Sequence, residues 1–233
     1  MPNTLYIVGT PIGNLQDISA HALDVLRAVP LIASEDPPRT QRLLARYDLH
    51  TPMMHFTDAY DRKKAERLHA LLSALERGDV AYVSSAGMPL LADPGYELVQ
   101  AALERDIDVV PVPGPAALIA ALAVSGLPPL PCTFLGFAPR KSAARRKLFA
   151  PYAQDARTLV VYESPNRLLA TLRDARAALG ERVVALCNEL TKLYERTWRG
   201  PLSGVIADLE ENKPRGEYVI VIGGFEEQNS EQT

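Results

Sequence analysis

Three stretches of small, rigid residues could bind a flat ligand through main-chain groups. They span residues 9–14, 84–89 and 114–117, and each follows a short apolar run. Small residues leave N–H and C=O groups open to a ligand, and loops at the carboxyl ends of strands form ligand sites in open α/β sheets. Such loops favour close packing around an adenine and a ribose, without charge specific to phosphate.

Several common catalytic and nucleotide-binding signatures do not occur in the sequence. There is no G-x-x-x-x-G-K-[ST] phosphate loop and no G-x-G-x-x-G fingerprint, since Pro11 lies between Gly9 and Gly13. Neither a G-x-S-x-G nucleophile elbow nor an H-E-x-x-H zinc motif is present. Because Cys132 and Cys187 are far apart and the histidines lack metal-ligand spacing, we expect no metal site.

Apolar runs alternate with helical patterns along the chain, which predicts a mostly parallel, doubly wound sheet. Asp36 and Pro37 have the residue types of a helix N-cap and a first helical position. A proline cluster at 128–131 is typical of a domain boundary. We therefore predict an α/β protein with two domains, residues 1–127 and 132–224, and a disordered acidic tail at 225–233.

Composition and charge restrict the class of protein. The chain has 233 residues, 47% of them hydrophobic, and a formal net charge of −3. That charge gives no global basic field for nucleic acid or membrane, so any RNA-binding surface must be local. The first residues lack a signal-peptide pattern and no apolar run is long enough for a bilayer. We expect a cytoplasmic protein with no membrane partner.

Longer motifs connect the three loops to a known family. In the first half they are Gly-Thr-Pro-Ile-Gly-Asn-Leu at 9–15, Ser-Glu-Asp at 34–36, Ala-Gly-x-Pro-Leu at 86–90, Ala-Asp-Pro-Gly-Tyr-Glu-Leu-Val at 92–99 and Val-Pro-Gly-Pro-x-Ala-Leu at 112–118. In the second half they include Tyr-Glu-Ser-Pro at 162–165 and Glu-Leu-Thr-Lys at 189–192. In order and spacing the chain resembles the tetrapyrrole-methylase superfamily, and within it the branch that methylates small-subunit ribosomal RNA.

The resemblance implies two α/β domains of the tetrapyrrole-methylase type, with S-adenosylmethionine bound in the cleft between them. It also implies a homodimer that methylates the 2′-hydroxyl of a cytidine ribose in 16S rRNA, with the rRNA or the small ribosomal subunit as partner. The residues implied to contact the cofactor share the loop motifs and the Tyr-Glu-Ser-Pro motif. They are Pro11, Ser84, Ser85, Ala86, Gly87, Met88, Ala116, Ala117 and Tyr162.

Methyl transfer to a ribose hydroxyl requires activation of the hydroxyl, because it is a poor nucleophile. A general base, or a cation that lowers the pKa of the hydroxyl, would supply it. Four ionisable residues within the matching motifs could act in this way: Glu35, Glu163, Glu189 and Lys192. The sequence does not rank them.

A basic run at 140–147 is the candidate RNA-binding surface. Its cations are Arg140, Lys141, Arg145, Arg146 and Lys147. They could neutralise RNA phosphates and release counterions, which would make binding dependent on salt. The alternative is a solvated helix face without a binding role.

Two residues depart from the family pattern in the central loop. The branch has Asp and Thr where this chain has Ser85 and Met88. The first change removes a carboxylate beside a cationic cofactor. Two alternative functions therefore remain: a methyltransferase of the same fold that acts on another RNA or a small molecule, and a non-catalytic paralogue that binds a nucleoside.

Overall fold

The computed structural model describes residues 3–57 and 63–225. The chain divides into two compact units, 1–116 and 117–233. Apart from Phe225, the predicted acidic tail at 225–233 lies outside the described residues. The division falls about ten residues before the predicted end of the first domain at 127, because the helix after residue 116 packs on the second sheet.

The first unit is a five-stranded parallel sheet with helices on both faces. Its strands are β1 (Thr4–Val8), β2 (Leu31–Ser34), β3 (Met53–His55), β4 (Val80–Val83) and β5 (Asp108–Val112). Its helices are α1 (Ala20–Ala28), α2 (Pro37–Arg46), α3 (Lys64–Leu75) and α4 (Tyr96–Leu103), with a short 3₁₀ turn at Leu15–Asp17. The strand order is β3-β2-β4-β1-β5, and every pair is parallel.

Two apolar clusters form the core of the first unit. One contains Val8, Leu26 and Leu44, and the other contains Leu5, Leu71 and Tyr82. Since Leu5 and Val8 on β1 belong to different clusters, the sheet is covered on both sides, as parallel sheets are. The predicted cap of α2 is confirmed: the Asp36 side chain accepts a hydrogen bond from the Arg39 N–H at 3.1 Å, and Pro37 is the first helical residue.

The second unit is a mixed sheet. Its elements in chain order are α5 (Ala117–Ser125), β6 (Cys132–Phe137), α6 (Ser142–Phe149), β7 (Thr158–Glu163), α7 (Pro165–Leu179), β8 (Val183–Asn188), β9 (Arg196–Pro201), α8 (Leu202–Glu211) and β10 (Tyr218–Ile222), with a 3₁₀ turn at Ala150–Tyr152. The strand order is β6-β7-β10-β8-β9, and only β6 and β7 are parallel. The expectation of a mostly parallel sheet is therefore wrong here, because no helix separates β8 from β9 and the two strands pair antiparallel.

Within residues 3–57 and 63–225, no helix is long and apolar enough to cross a membrane.

Candidate functional site

The three small-residue loops of the first unit emerge from neighbouring parallel strands. They follow β4, β1 and β5, which are adjacent in the sheet. Parallel strands place their carboxyl ends at one edge, where open α/β sheets bind ligands. The order of the strands therefore brings residues 9–14 and 84–89 to the same edge as residues 114–116 of the predicted loop at 114–117, whose last residue begins α5.

Backbone hydrogen bonds join these loops to one another. Thr10 and Gly87 exchange two bonds, from Thr10 N to Gly87 O at 2.9 Å and from Gly87 N to Thr10 O at 3.0 Å. The Gly9 N–H donates to Val112 O at 3.0 Å. Gly87 has a φ of +79°, a conformation that favours glycine. The loops therefore form one continuous edge.

Gly9 and Gly114 allow this close approach. A Cβ on Gly9 would lie 2.7 Å from the Gly114 Cα and 2.6 Å from the Met88 Sδ. A Cβ on Gly114 would lie 2.6 Å from Gly9 O. The two backbones are in contact, and the Met88 side chain lies over Gly9.

A buried hydroxyl at this edge has no protein partner in the described part of the chain. Thr10 is 5% exposed, and its Oγ1 forms no hydrogen bond there. A buried polar atom left without a partner costs about 1–3 kcal/mol. A ligand with a donor or an acceptor at this position would remove that cost.

Two carboxylates accompany the loops. Glu35, directly after β2, accepts a hydrogen bond from the Ser85 N–H on its Oε2 at 2.7 Å. Asp93 lies in the segment between β4 and α4, and burial raises its pKa to about 6. The Glu35 carboxylate is a smaller cause of this increase, which a hydrogen bond with Ser84 and the charge of Arg39 partly offset.

Asp93 lies within the motif at 92–99, but its position in the sequence does not mark it as a site residue. The backbone beside Asp93 is unusual, since Leu90 and Ala92 both adopt a positive φ, at 72° and 65°. A segment that holds non-glycine residues in this conformation is often functional. The sequence alone does not reveal those angles.

Glu163 is enclosed in the second unit. Its side chain is 0% exposed. One carboxylate oxygen accepts from the Ser164 N–H at 2.8 Å, and the other accepts from Thr171 Oγ1 at 2.6 Å and from Arg167 at 3.2 Å. These bonds tie the end of β7 to the first turns of α7, so this carboxylate serves the packing of α7. Ser164 is the N-cap residue by position, but its side chain does not cap the helix.

Glu189 and Lys192 form an ion pair in the loop after β8. Lys192 Nζ lies 2.9 Å from Glu189 Oε1 and 2.7 Å from Glu217 Oε2. Burial alone would raise the pKa of Glu189 and lower that of Lys192. Their mutual hydrogen bonds and those involving Glu217 outweigh burial, so the pKa of Glu189 falls and that of Lys192 rises. Both shifts favour the charged forms and make Glu189 a weaker base.

Tyr162 stands beside the start of α5 in the second unit. Its hydroxyl accepts a hydrogen bond from the Leu118 N–H at 2.9 Å, and its ring contacts Phe134 and Phe137 edge to face. The first N–H groups of a helix have no partner within the helix. The structure thus brings two of the implied cofactor residues, Ala117 and Tyr162, to one place in this unit.

The basic run at 140–147 divides into two groups. Arg145 is 5% exposed, and its guanidinium lies 2.7 Å from Asp174. Arg146 Nε lies 2.8 Å from the same carboxylate. Arg140, Lys141 and Lys147 remain exposed. Burial therefore removes Arg145 from the basic surface that the sequence predicts.

Comparison with known families assigns the fold. Residues 4–206 match the model of the tetrapyrrole (corrin/porphyrin) methylases. The chain belongs to this family. Among residues 3–57 and 63–225 of this tetrapyrrole methylase, no group of three or more His, Cys, Asp or Glu side chains is placed to hold a metal ion.

Two curated members of the family are close relatives. The ribosomal RNA small subunit methyltransferase I of Thermotoga maritima is 45% identical over 222 residues, which cover 95% of this chain and 99% of its own. The protein of the same name from Synechocystis is 45% identical over 222 residues, which cover 94% of this chain and 78% of its own.

Solved structures share the architecture at low identity. A putative diphthine synthase from Entamoeba histolytica superposes with a TM-score of 0.71 at 12% identity, covering 97% of this chain and 94% of its own. Uroporphyrin-III C-methyltransferase from Thermus thermophilus, solved with S-adenosylhomocysteine, gives 0.63 at 20% identity, covering 95% and 97%. These likenesses establish the two-domain α/β fold of the tetrapyrrole methylases.

Proposed function

We propose that the chain is an S-adenosylmethionine-dependent methyltransferase that methylates the 2′-hydroxyl of a cytidine ribose in the RNA of the small ribosomal subunit. The observation that carries this proposal is the 45% identity to the Thermotoga maritima enzyme over 99% of that enzyme's length. We further propose that it acts as a homodimer in the cytoplasm.

The loops of the first unit fit the nucleoside part of the cofactor. The orphaned Thr10 Oγ1 offers a hydrogen-bonding group, and the backbones of Gly9 and Gly114 are in contact at the edge, with the Met88 side chain over Gly9. Glu35 and Asp93 supply negative charge. The residues proposed to hold the cofactor are Pro11, Ser84, Ser85, Ala86, Gly87, Met88 and Ala116 in the first unit, and Ala117 and Tyr162 in the second.

When bound, S-adenosylmethionine supplies a methyl group on a positively charged sulfur. The enzyme must position the ribose hydroxyl in line with that methyl group, and positioning alone supplies much of the rate. We propose that the Asp93 carboxylate accepts the hydroxyl proton. Its pKa of about 6 is well placed for a general base near neutral pH. Glu35, which raises the pKa of Asp93, is the second candidate.

The exposed cations of the basic run are proposed to contact RNA phosphates. Arg140, Lys141 and Lys147 are exposed and can take this role, whereas Arg145 is buried and paired with Asp174. Exposed lysines and arginines that neutralise phosphates make RNA binding dependent on salt.

Calorimetric titration with S-adenosylmethionine and S-adenosylhomocysteine tests the first half of the proposal. We expect micromolar binding, about −8 kcal/mol. No binding at high ligand concentration would refute an active methyltransferase and favour the non-catalytic paralogue.

Transfer of labelled methyl groups to purified small ribosomal subunits tests the second half. We expect one new 2′-O-methylated cytidine, mapped by its resistance to alkaline hydrolysis, and light scattering at twice the chain mass of 25.5 kDa. Cofactor binding without RNA methylation would point to the same fold acting on another substrate.

A further inference from the structure

A cavity lies entirely within the second unit. Its volume is about 370 Å³, and it opens beside the end of α8, against β8, β9 and β10. Leu186, Val205 and Leu209 give it an apolar floor. No residue proposed above for the cofactor, the base or the phosphates lines it.

Strand pairing places a flat platform on its wall. Leu186 pairs with Trp198, and Asn188 pairs with Arg196, across β8 and β9. Residues two apart on a strand share a face of the sheet, so all four side chains lie on one side. The Arg196 guanidinium carbon lies 4.3 Å from the centre of the Trp198 ring. The guanidinium is exposed and lies over the indole, and arginine and aromatic side chains are surfaces on which nucleobases stack.

Three cations surround the opening without a carboxylate partner. Arg196, Lys213 and Arg215 line the cavity, and none forms an ion pair with any carboxylate that the structure describes. By contrast Arg145, Arg173 and Arg176 each form one. Among the described residues of the lining Asp208 alone is acidic, so these residues give the opening an excess of positive charge. Unpaired cations around an aromatic platform suit a phosphodiester chain.

Besides its cations, the lining offers side-chain hydrogen-bond acceptors on Asn188 and Asp208. The Asn188 amide nitrogen donates to the backbone oxygens of Arg215 at 3.0 Å and Glu217 at 3.1 Å, which fixes the orientation of the amide. Within the described residues nothing donates to its Oδ1, and the Asp208 carboxylate is a second acceptor. Acceptors of this kind pair with the exocyclic amino group of a base such as cytosine.

We propose that this cavity binds one nucleotide of single-stranded RNA, with a base that carries an amino group stacked on Arg196 and Trp198 and with phosphates near Lys213 and Arg215. The choice of RNA rests on the proposed function. The cavity would give the enzyme a second RNA contact, separate from the basic run at 140–147.

Trp198 is the only tryptophan of the chain, so its fluorescence reports on this cavity alone. The experiment titrates the full-length protein with octacytidylate, octauridylate and inorganic polyphosphate. We expect octacytidylate to quench the emission saturably, octauridylate to bind about tenfold more weakly because it lacks the amino group, and polyphosphate to give no comparable quenching.

Substitutions at the rim provide the matched comparison. We expect Arg196→Gln and Lys213→Gln each to weaken octacytidylate binding by about five- to tenfold, and Lys213→Gln to reduce the slope of log affinity against log salt by about 0.7. Arg105→Gln, an exposed arginine of the first unit, should change neither. Thermal unfolding of each variant verifies that it is folded.

Three results would overturn the proposal: no quenching at millimolar oligonucleotide, equal affinity for octauridylate, or full binding by both rim variants. Calorimetry with S-adenosylhomocysteine on the same preparations separates this proposal from the proposed function. Quenching without cofactor binding would refute the methyltransferase activity and support nucleotide binding in the cavity. Cofactor binding without quenching would refute nucleotide binding in the cavity alone.

Discussion

Asp93 and Glu35 are two carboxylates at the loop edge of the first sheet, and the charge of Glu35 acts on Asp93. Burial and the charge of Glu35 bring the pKa of Asp93 to about 6. The ionised form of Asp93 is therefore costly for the folded state above that pH, since an aspartate in the unfolded chain ionises near 3.8. Carboxylates with a perturbed pKa are common at catalytic sites.

The substitution Asp93→Asn should change both the pH dependence of methyl transfer and the free energy of unfolding. The wild-type rate of methyl transfer should increase as pH rises through about 6, and this limb should be lost in the variant, which keeps its affinity for S-adenosylhomocysteine. Because asparagine avoids the cost of ionisation, the variant should gain about 1–2 kcal/mol of unfolding free energy at pH 8 and almost none at pH 4.

The checks are a pH–rate profile and urea unfolding at the two pH values. Asp108→Asn, an exposed aspartate in the same unit, is the control and should alter neither quantity. A wild-type pH profile in Asp93→Asn would remove Asp93 as the base.

Ser85→Asp tests the charge that the family pattern places in the central loop. The Ser85 N–H already donates to Glu35, so the new carboxylate would add negative charge beside the existing pair. We expect S-adenosylmethionine to bind about tenfold more tightly, or about 1.4 kcal/mol. S-adenosylhomocysteine should change little, because its sulfur is uncharged.

Titration calorimetry with both ligands measures this difference, and Ser85→Asn controls for side-chain size. Equal tightening of both ligands, or of neither, would contradict the electrostatic account of this position.

One aspartate joins α6 to α7. Asp174 on α7 receives bonds from Ser142, Arg145 and Arg146 on α6, at 2.8 Å for Ser142 and Arg146 and 2.7 Å for Arg145. Burial alone would raise the pKa of Asp174. The hydrogen bonds from Arg146, Ser142 and Arg145 outweigh burial and hold it below its ordinary value. The stabilisation that this carboxylate provides is therefore present above the usual aspartate range and is lost as pH falls below it.

Asp174→Asn should destabilise the second unit by about 3 kcal/mol at pH 7, because it leaves the buried Arg145 guanidinium without its counterion. Chemical denaturation measures the loss. Asp24→Asn removes the partner of Arg27 in an exposed pair and should cost less than about 0.5 kcal/mol. Similar losses in the two variants would show that burial does not strengthen the Asp174 cluster.

Local sequence signals predicted most of the elements, and long-range contacts decided the rest. Asp36 and Pro37 marked the start of α2, and the alternating pattern placed the three loops at one edge of the first sheet. The pKa of Asp93 depends on Glu35, 58 residues away, and the burial of Arg145 depends on Asp174, 29 residues away. The burial of Glu163 depends on the packing of α7 against β7. Spacing along the chain does not encode such contacts.

The boundary between the two units also depends on contacts that the sequence pattern does not reveal. The helix α5 is apolar around its full circumference, so its periodicity does not indicate which face it buries. The prolines at 128–131 follow α5, whereas the division into compact units falls before it, at 116 and 117. Cys187 Sγ contacts Ala121 O, and Arg199 Nε donates to Ser125 O at 3.0 Å, so α5 covers β8 and β9 of the second sheet.

Fragments test where the second unit begins. We expect residues 117–225 to give a cooperative thermal transition. Residues 128–225, which begin near the boundary predicted from sequence, should aggregate or melt without cooperativity because one face of the sheet loses its cover. Calorimetry and size exclusion compare the two fragments, and equal stability would show that α5 contributes little to the second unit.

The paired bonds between Thr10 and Gly87 also have a consequence for the time scale of motion. The amide hydrogens of Gly9, Thr10 and Gly87 are all held by backbone oxygens at the sheet edge. They should exchange with deuterated solvent as slowly as amides inside the strands, because their release requires the sheet itself to open. A ligand that enters this edge therefore meets a preformed surface, and any closure that accompanies binding must come from segments whose amides exchange faster.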